Sequence, residues 1–297
     1  MKLIKPSFEI IEQQSGLEGI YKQIEQAGRT CYKSEDKITE DSAKGFVDRM
    51  IKSGHGAMLE HGTVYLSIPY NEAYSLLPDT NWVIDSYGKN PYSIIRLHGP
   101  YFYVTTNYRV LVENGWLDDL KYLCEPTEFH EKRITVHFVC DRGVSHEFVR
   151  HRVMSFAQES TRYCNYSRDK FNNEVTFILP CWVTDIHSGN SYDMELLNNY
   201  PLAETENMSP ESIEFIRSLV YGESSYFTLL EAGWKPQQAR TVLPNALKTE
   251  LVMTGFINDW KHFFDLRCAT NAHPQAQELA IPLREEFVKK GYITDNK

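Results

Sequence analysis

The chain has 297 residues, of which 42% are hydrophobic and 13% aromatic, so it can bury a sizeable core and is globular rather than disordered. Its formal net charge of -9 argues against a general nucleic-acid binder, because such proteins neutralise phosphates with a surplus of Lys and Arg. The stretch from Met1 to Ile11 lacks the apolar run of a signal peptide, and no segment approaches the roughly 20 apolar residues that cross a bilayer. We therefore expect a cytoplasmic protein without membrane or nucleic-acid partners.

The predicted elements alternate between helices and strands along the chain. In chain order they are helices at Gly16–Ala27 and Asp41–Lys52, strands at Thr63–Ile68, Tyr101–Thr105, Ile134–Val139 and Val175–Leu179, and helices at Asn258–Leu266 and Gln275–Lys289. Several strands are expected to pair in an antiparallel or mixed sheet flanked by helices. Because the C-terminal third is predicted to be mainly helical, the fold class is α+β.

The clearest helix begins after Ser209. This cap residue precedes Pro210 at the first helical position, and apolar residues recur at helical spacing from Ile213 to Leu230 until Gly233 ends the run. No internal repeat, low-complexity tract or linker divides the sequence, so residues 1–297 are predicted to form a single domain.

The cysteines suggest a reducing compartment. Six cysteines are scattered along the chain without a C-x-x-C pair, which indicates reduced thiols. Cys181, which follows Pro180, is predicted to be a buried thiol. The aromatic residues Trp260, Phe263 and Phe264 lie at helical spacing and are predicted to pack in the core.

The segment after the third predicted strand contains the chemically richest stretch. It is predicted to form a tight turn at Asp141–Gly143 and a helix through Ser145–Arg152. On a helix the adjacent residues Arg150, His151 and Arg152 would point in directions about 100° apart, so they would line different walls of one cavity.

Three arginines, several hydroxyl residues and an amide lie close together between Arg150 and Tyr163. This favours an anionic ligand, because guanidinium groups bind phosphate oxygens in bidentate fashion. The composition is equally compatible with a structural ion-pair cluster that includes Glu147, Glu159 and Asp169. A non-catalytic nucleotide- or RNA-binding module is the corresponding alternative function.

A metal site is the second alternative. His146-Glu147 followed by His151 resembles a zinc metalloprotease motif, but the second His lies at i+5 instead of the i+4 that places both on one helix face. We therefore predict no metal, although a zinc-dependent hydrolase built on these three residues stays a rival hypothesis.

The sequence Arg150-His151-Arg152, followed after seven residues by Ser160, resembles the R-H-R-x7-S signature of the flavin-dependent thymidylate synthases. Other blocks that resemble the same family are the upstream G-H-x-x-x-x-E-H segment at Gly54–His61 and the downstream arginine blocks at Ala239–Pro244 and Leu266–Arg267. The resemblance covers roughly residues 28–280.

What the resemblance implies is a methyltransferase reaction. A methylene group from methylenetetrahydrofolate would be attached to dUMP, and reduced FAD would supply the hydride that makes it the methyl group of dTMP. NADPH would reduce the flavin. The resemblance also implies an α+β homotetramer whose active sites each contain residues from several subunits.

The resemblance also assigns residues to two sites. Those expected to bind the flavin are His55, Ala57, Arg150, His151, Arg152, Gln158, Phe256, Ile257, Asn258 and His262. Those expected to bind dUMP are Glu147, Arg150, Gln158, Glu159, Ser160, Thr161, Arg162, Arg240 and Arg267. Arg267 is the expected catalytic residue, because a permanently charged donor against the uracil would stabilise an anionic pyrimidine.

Structural roles compete with some of these assignments. His55 and His61 could be core histidines, Arg240 could cap a helix end, and Arg267 could pair with Asp265 or Glu278. Four residues depart from the family pattern and leave contact details open, namely Ala57, Ala157, Asn271 and Gln275. Ala57 lacks the usual hydroxyl group, so its flavin contact would come through the backbone. The motifs assign no role to residues 70–97.

Overall fold

The computed structural model describes residues 1–73, 81–195 and 207–294. Its strands are β1 (Lys2–Ile4), β2 (Ser7–Ile11), β3 (Thr63–Pro69), β4 (Ile94–His98), β5 (Tyr101–Asn107), β6 (Arg133–Asp141), β7 (Ser155–Gln158), β8 (Thr176–Ile178) and β9 (Lys248–Phe256). Its helices are α1 (Gly16–Tyr32), α2 (Ser42–Ser53), α3 (Gly56–Leu59), α4 (Trp82–Ser86), α5 (Tyr108–Asn114), α6 (Arg142–Phe148), α7 (Pro210–Glu231), α8 (Pro236–Ala239), α9 (Ile257–Arg267) and α10 (Pro274–Lys289).

The strands form one larger sheet and two smaller ones. The four-stranded sheet has the order β2-β6-β9-β7 and is antiparallel throughout, with its longest pairing running from Arg133 opposite Phe256 to Asp141 opposite Lys248. A three-stranded antiparallel sheet has the order β3-β5-β4, and β1 pairs with β8 in parallel. The predicted α+β class with antiparallel sheets is confirmed.

Three apolar clusters hold these elements together. One joins the four-stranded sheet to α9 and α10, and it contains Trp260, Phe263 and Phe264 at 0–3% exposure, so their predicted core role is confirmed. Burial of each such ring contributes roughly 1.5–3 kcal/mol before entropy is counted. A second cluster packs α1 and α2 against the three-stranded sheet, and a third surrounds α7, β1 and β8.

Most predicted elements are present, with shifted ends. The helix predicted after Ser209 is α7, and the Ser209 hydroxyl accepts a hydrogen bond from the Ser212 amide at 3.2 Å. Helix α1 continues to Tyr32, five residues beyond the predicted end, and stops where Lys33 adopts a left-handed conformation with φ 47°. An ion pair between Arg29 and Glu25 at 2.8 Å within the same helix stabilises this extension.

The predicted geometry of the Arg150–Arg152 segment was wrong. Helix α6 includes Arg142 and Gly143, which were predicted to form a turn, and it ends at Phe148, before the motif. The three motif residues lie in the following turn, where the Arg152 amide donates to the Arg150 carbonyl at 3.0 Å. Because the chain must reverse direction to enter β7, the helix cannot continue through the motif.

Two other predictions need correction. The C-terminal third contains β9, a nine-residue central strand that the sequence analysis missed, because burial on both faces removes the alternating pattern expected of a strand. Cys181 is exposed rather than buried, since it lies in the loop after β8. No helix in the described ranges is long and apolar enough to cross a membrane.

Candidate active site

Helix α6 is fixed at the end of β6 by its cap. The Asp141 carboxylate accepts from the Val144 amide at 2.7 Å through one oxygen and from Gln275 Nε2 at 2.6 Å through the other. Burial raises the pKa of this carboxyl, while the two hydrogen bonds oppose that change. The cap therefore ties α6 to α10 and sets the position of Glu147 near the end of α6.

Arg267, the last residue of α9, reaches the end of α6 and the motif turn. Its Nη1 donates to Glu147 Oε2 at 2.5 Å, its Nη2 donates to the Glu147 carbonyl at 2.6 Å, and its Nε donates to His151 Nε2 at 3.1 Å. Burial lowers the pKa of Arg267, Glu147 opposes this, and the nearby charge of Arg150 lowers it further. The ion-pair partner of Arg267 is thus Glu147, and not Asp265 or Glu278, which the structural alternative had named.

His151 is a neutral acceptor in this arrangement. Its side chain is buried, and burial together with the charges of Arg267 and His262 lowers its pKa to about 4. Because Nε2 accepts from Arg267, the ring proton belongs on Nδ1. The ring also packs against Phe263, with centroids 5.0 Å apart. The structure therefore brings Glu147, Arg150, His151 and Arg267 together as one group, which we call the Arg267 group.

A second group forms around the loop after β7. Arg240 Nη1 donates to Thr161 Oγ1 at 2.7 Å, and Arg162 Nε donates to Gln237 Oε1 at 3.3 Å. The Ser160 amide donates to the Cys31 carbonyl at 3.0 Å, which holds the loop on α1. Ser160, Thr161, Arg162 and Arg240 form what we call the Arg240 group. The side chain of Arg240 thus bonds to a residue 79 positions away in the sequence, so its role is not limited to capping its own helix end.

Two residues that were predicted to bind dUMP have side-chain partners within the protein. Glu159 is 1% exposed, and its Oε2 pairs with Lys248 at 2.9 Å in a network that also contains Glu250. Gln158 Nε2 donates to Ser145 Oγ at 2.8 Å, which connects β7 to α6. The side chain of Glu159 is therefore committed to Lys248, which the sequence analysis did not single out.

One open cleft of about 490 Å³ brings together some of the predicted flavin residues. Its lining includes four of the predicted flavin residues, namely Ala57, Arg152, Phe256 and Asn258. Ile257 is instead buried in the core cluster of α9 and α10. Arg133 also lines the cleft, although the sequence analysis did not identify it. The only sequence feature that could have suggested it is a lone arginine at the head of an apolar strand.

The two upstream histidines differ. His55 is exposed, with its Nδ1 3.3 Å from the Tyr32 hydroxyl, so the core alternative does not apply to it. His61 is fully buried, and its Nδ1 lies 2.8 Å from Thr254 Oγ1 in the central sheet. Burial lowers the pKa of His61 to about 3, so it is a neutral core histidine.

The alternatives to an anion site find little support in the described part of the chain. There, Arg150, Arg152, Arg162 and Arg240 make no ion pair with a carboxylate, unlike Arg267. The structural ion-pair cluster considered for the motif arginines is therefore absent in these ranges. No group of three or more His, Cys, Asp or Glu residues that could hold a metal ion is found among the described residues either.

Comparison with known proteins decides the family. Residues 102–290 match the thymidylate synthase complementing protein family, a range that includes the motif turn, Arg240 and Arg267. The chain belongs to this family. The Gly54–His61 block of this family member lies outside the matched range.

Curated relatives carry the name flavin-dependent thymidylate synthase. The protein of Pyrococcus furiosus is 31% identical over 154 residues, which are 52% of this chain and 53% of the relative. That of Thermococcus kodakarensis is 33% identical over 150 residues, or 50% and 51% of the two chains. The chain thus spans about half the length of these relatives. A relative from Corynebacterium aurimucosum is 23% identical over 260 residues, or 87% and 72%.

Among solved structures, this family member is similar to a UMP/dUMP methylase, PolB from Streptomyces cacaoi, bound with 5-Br dUMP. The sequences are 17% identical, and the match covers 97% of this chain and 93% of the other with a TM-score of 0.42.

Proposed function

We propose that the protein is a flavin-dependent thymidylate synthase. It converts dUMP to dTMP, with methylenetetrahydrofolate as the one-carbon donor and reduced FAD, regenerated by NADPH, as the hydride source. The observation that carries this proposal is the contact of Arg267 with Glu147 and His151, residues that lie 120 and 116 positions away. Two motif blocks that are distant in sequence are thereby joined in one polar group.

The cleft has the chemistry that a flavin requires. The exposed guanidinium of Arg152 has no carboxylate partner in the described ranges and suits a phosphate, whereas Phe156 and Phe256 offer apolar surface to a ring system. Ala57 and Asn258 would complete the walls that hold it. When bound, the flavin supplies the hydride, and the protein contributes position and electrostatics.

The two arginine groups suit the two ends of dUMP. Arg162 and Arg240, with the hydroxyl of Ser160, would bind the phosphate, because guanidinium forks match phosphate oxygens. Arg267 would stabilise negative charge on the uracil ring and so raise the electron density at the carbon that is alkylated. Glu147 and neutral His151 hold the guanidinium of Arg267 in place. No covalent nucleophile from the protein is then needed.

The complete enzyme is proposed to be a cytoplasmic homotetramer of single-domain subunits. Exposed apolar residues stand close in sequence to the motif residues of both groups, which is typical of surfaces that pack against another subunit. They are Val153, Tyr163, Val242 and Leu266, exposed by 39–66%. Each active site would then combine the Arg267 group of one subunit with the Arg240 group of a neighbour.

A spectrum and one assay test this proposal. The purified protein should show flavin absorbance that bleaches under NADPH. It should also release tritium from dUMP labelled at the methylated carbon, but only when methylenetetrahydrofolate is added. A colourless protein that stays inactive after addition of FAD would contradict the proposal. If that protein bound oligonucleotides tightly and in a salt-dependent manner, the nucleotide- or RNA-binding alternative would be favoured.

A further inference from the structure

Arg133 is a buried cation whose hydrogen-bond partners are all neutral. It begins β6 and is 9% exposed. Its Nη1 donates to the Glu60 carbonyl at 3.0 Å and to Thr63 Oγ1 at 3.3 Å, and its Nη2 donates to Ser155 Oγ at 3.3 Å. In the ranges that the structure describes, no carboxylate forms an ion pair with this guanidinium.

A buried charge without an ion-pair partner is energetically unusual. Buried arginines are normally paired, because the loss of hydration costs several kcal/mol that an opposite charge must offset. Arg29 shows the usual solution in the same protein, since it is 8% exposed and pairs with Glu25 at 2.8 Å. Burial lowers the pKa of Arg133 to about 10, which still leaves the guanidinium charged at neutral pH.

The guanidinium faces the space in which an anion could bind. Arg133 lines the 490 Å³ cleft, where its guanidinium carbon lies 5.6 Å from the centroid of the Phe256 ring. The two carboxylates of the cleft, Glu60 and Asp259, attract this charge without forming an ion pair with it. Both are bonded elsewhere, because Glu60 pairs with Arg109 at 2.6 Å and Asp259 accepts from the Phe256 amide at 2.9 Å.

A smaller cavity that Arg133 also lines is the less suitable site. It holds about 200 Å³, which is below the usual range of roughly 300–1,000 Å³ for small-molecule pockets. Its lining also carries the carboxylates of Glu12 and Glu125. The larger cleft is therefore the place from which a counter-charge can reach Arg133.

We infer that Arg133 is a further ligand-binding residue of the cleft, and that it pairs with an anionic group of the bound flavin. This inference rests on the proposed function. The anionic group is either the diphosphate of FAD or the reduced ring, which carries a negative charge at neutral pH. In both cases the flavin supplies the ion-pair partner that no carboxylate in the described ranges provides.

The test compares two arginines that are equally buried but differently paired. Arg133→Met keeps the apolar stem and removes the charge, so FAD should bind at least about tenfold more weakly, as for loss of a hydrogen-bonded charge. The flavin-free protein should stay as stable as the parent or become more stable, because a buried charge without an ion-pair partner is gone. Arg133→Lys should bind FAD with an affinity between those of the parent protein and Arg133→Met.

Arg29→Met is the matched control with the opposite pattern. It leaves the carboxylate of Glu25 buried without its cation, so the melting temperature of the flavin-free protein should fall. Its FAD affinity, measured by quenching of flavin fluorescence, should stay within about twofold of the parent. Arg29 lies on α1 and does not line the cleft.

The form of the flavin distinguishes the two anionic groups. If the diphosphate is the partner, Arg133→Met weakens binding of oxidised and reduced FAD equally. If the reduced ring is the partner, only reduced FAD binds more weakly, and the reduction potential of the bound flavin falls. Either result supports a direct role for Arg133 in binding.

Two results would overturn the inference. One is unchanged affinity of Arg133→Met for both forms of FAD. The other is weaker binding accompanied by a loss of stability in the flavin-free protein as large as that of Arg29→Met, which would show a structural role. Failure of the proposed function looks different, since the parent protein itself would then bind no FAD.

Discussion

The environment of Arg267 shows how a single residue connects distant motifs. Its guanidinium has three hydrogen bonds to Glu147 and His151, which leaves two of its five N–H donors for a substrate. Because both partners are held by other contacts, the guanidinium is oriented before any ligand arrives. Such preorganised charge is what transition-state stabilisation requires.

We expect Arg267→Ala to retain flavin and to lose turnover by at least about 10²-fold, the usual cost of removing one preorganised donor. The visible spectrum measures the flavin and tritium release measures turnover. Arg150→Ala is the comparison variant, and it should lose flavin because Arg150 is an exposed arginine without an ion-pair partner in the described ranges. Normal turnover in Arg267→Ala would remove Arg267 from the catalytic residues.

At the residue scale, the sequence indicates which residues are candidates for the site better than it predicts their contacts. Arg150, Arg240 and Arg267 follow from the resemblance of their motif blocks to those of the family. The partners Glu147 for Arg267 and Lys248 for Glu159 could not be predicted, because these contacts join residues 120 and 89 positions apart and depend on the tertiary fold. The assignments to flavin and dUMP stay predictions.

Helix α6 is the element that positions the Arg267 group, and its cap offers a test. We expect Asp141→Ala to lower the free energy of unfolding by about 1–2 kcal/mol, because the Val144 amide loses its cap. Displacement of Glu147 should also reduce turnover by roughly tenfold. Urea denaturation and the tritium assay measure the two effects.

Asp141→Asn is the control for this cap. It keeps an acceptor oxygen for the Val144 amide and should retain most of the stability and turnover. If Asp141→Ala were less stable but turned over normally, α6 would not control the position of Glu147.

His61 connects the end of α3 to β9 and makes the fold sensitive to acid. Its pKa is about 3 in the folded protein, against 6.5 for a free imidazole, so only the unfolded chain takes up a proton as the pH falls through 6.5. The contribution of His61 to the free energy of unfolding is therefore fully present above that pH. It should fall by about 2 kcal/mol from about pH 8 to about pH 5.

His61→Gln should reduce that pH dependence. Glutamine can still hydrogen-bond to Thr254 but does not titrate, so the free energy of unfolding of the variant should change by about 2 kcal/mol less over the same range. Urea denaturation at several pH values provides the measurement. An unchanged slope in the variant would mean that His61 is not the group responsible.

At the element scale, sequence patterns succeed where one face is buried. Helix α7 was predicted from its cap at Ser209 and its apolar spacing, and β3 and β5 from their composition. Strand β9 was missed because both of its faces are covered. Helix α6 was predicted too long because the turn at Arg150 is imposed by the pairing of β7 with β9, which local sequence does not encode.

At the scale of the whole molecule, the two arginine groups are built differently. The Arg267 group is completed within one chain by Glu147, whereas Arg162 and Arg240 have no carboxylate partner in the described ranges. In the proposed homotetramer the two groups would meet between subunits, an arrangement that a single sequence suggests only through its family resemblance.

Mixed oligomers test this arrangement directly. Arg267→Ala and Arg240→Ala should each be inactive alone, but chains that carry different tags can be co-expressed and the mixed oligomers purified through both tags. If each site takes Arg267 from one subunit and Arg240 from a neighbour, random mixing leaves about a quarter of the sites intact, since each half is unaltered with a chance of about one half. If both arginines came from the same subunit, every site would contain one substitution and no activity would return. Oligomers of each variant alone, purified in the same way, set the background against which recovered tritium release is measured.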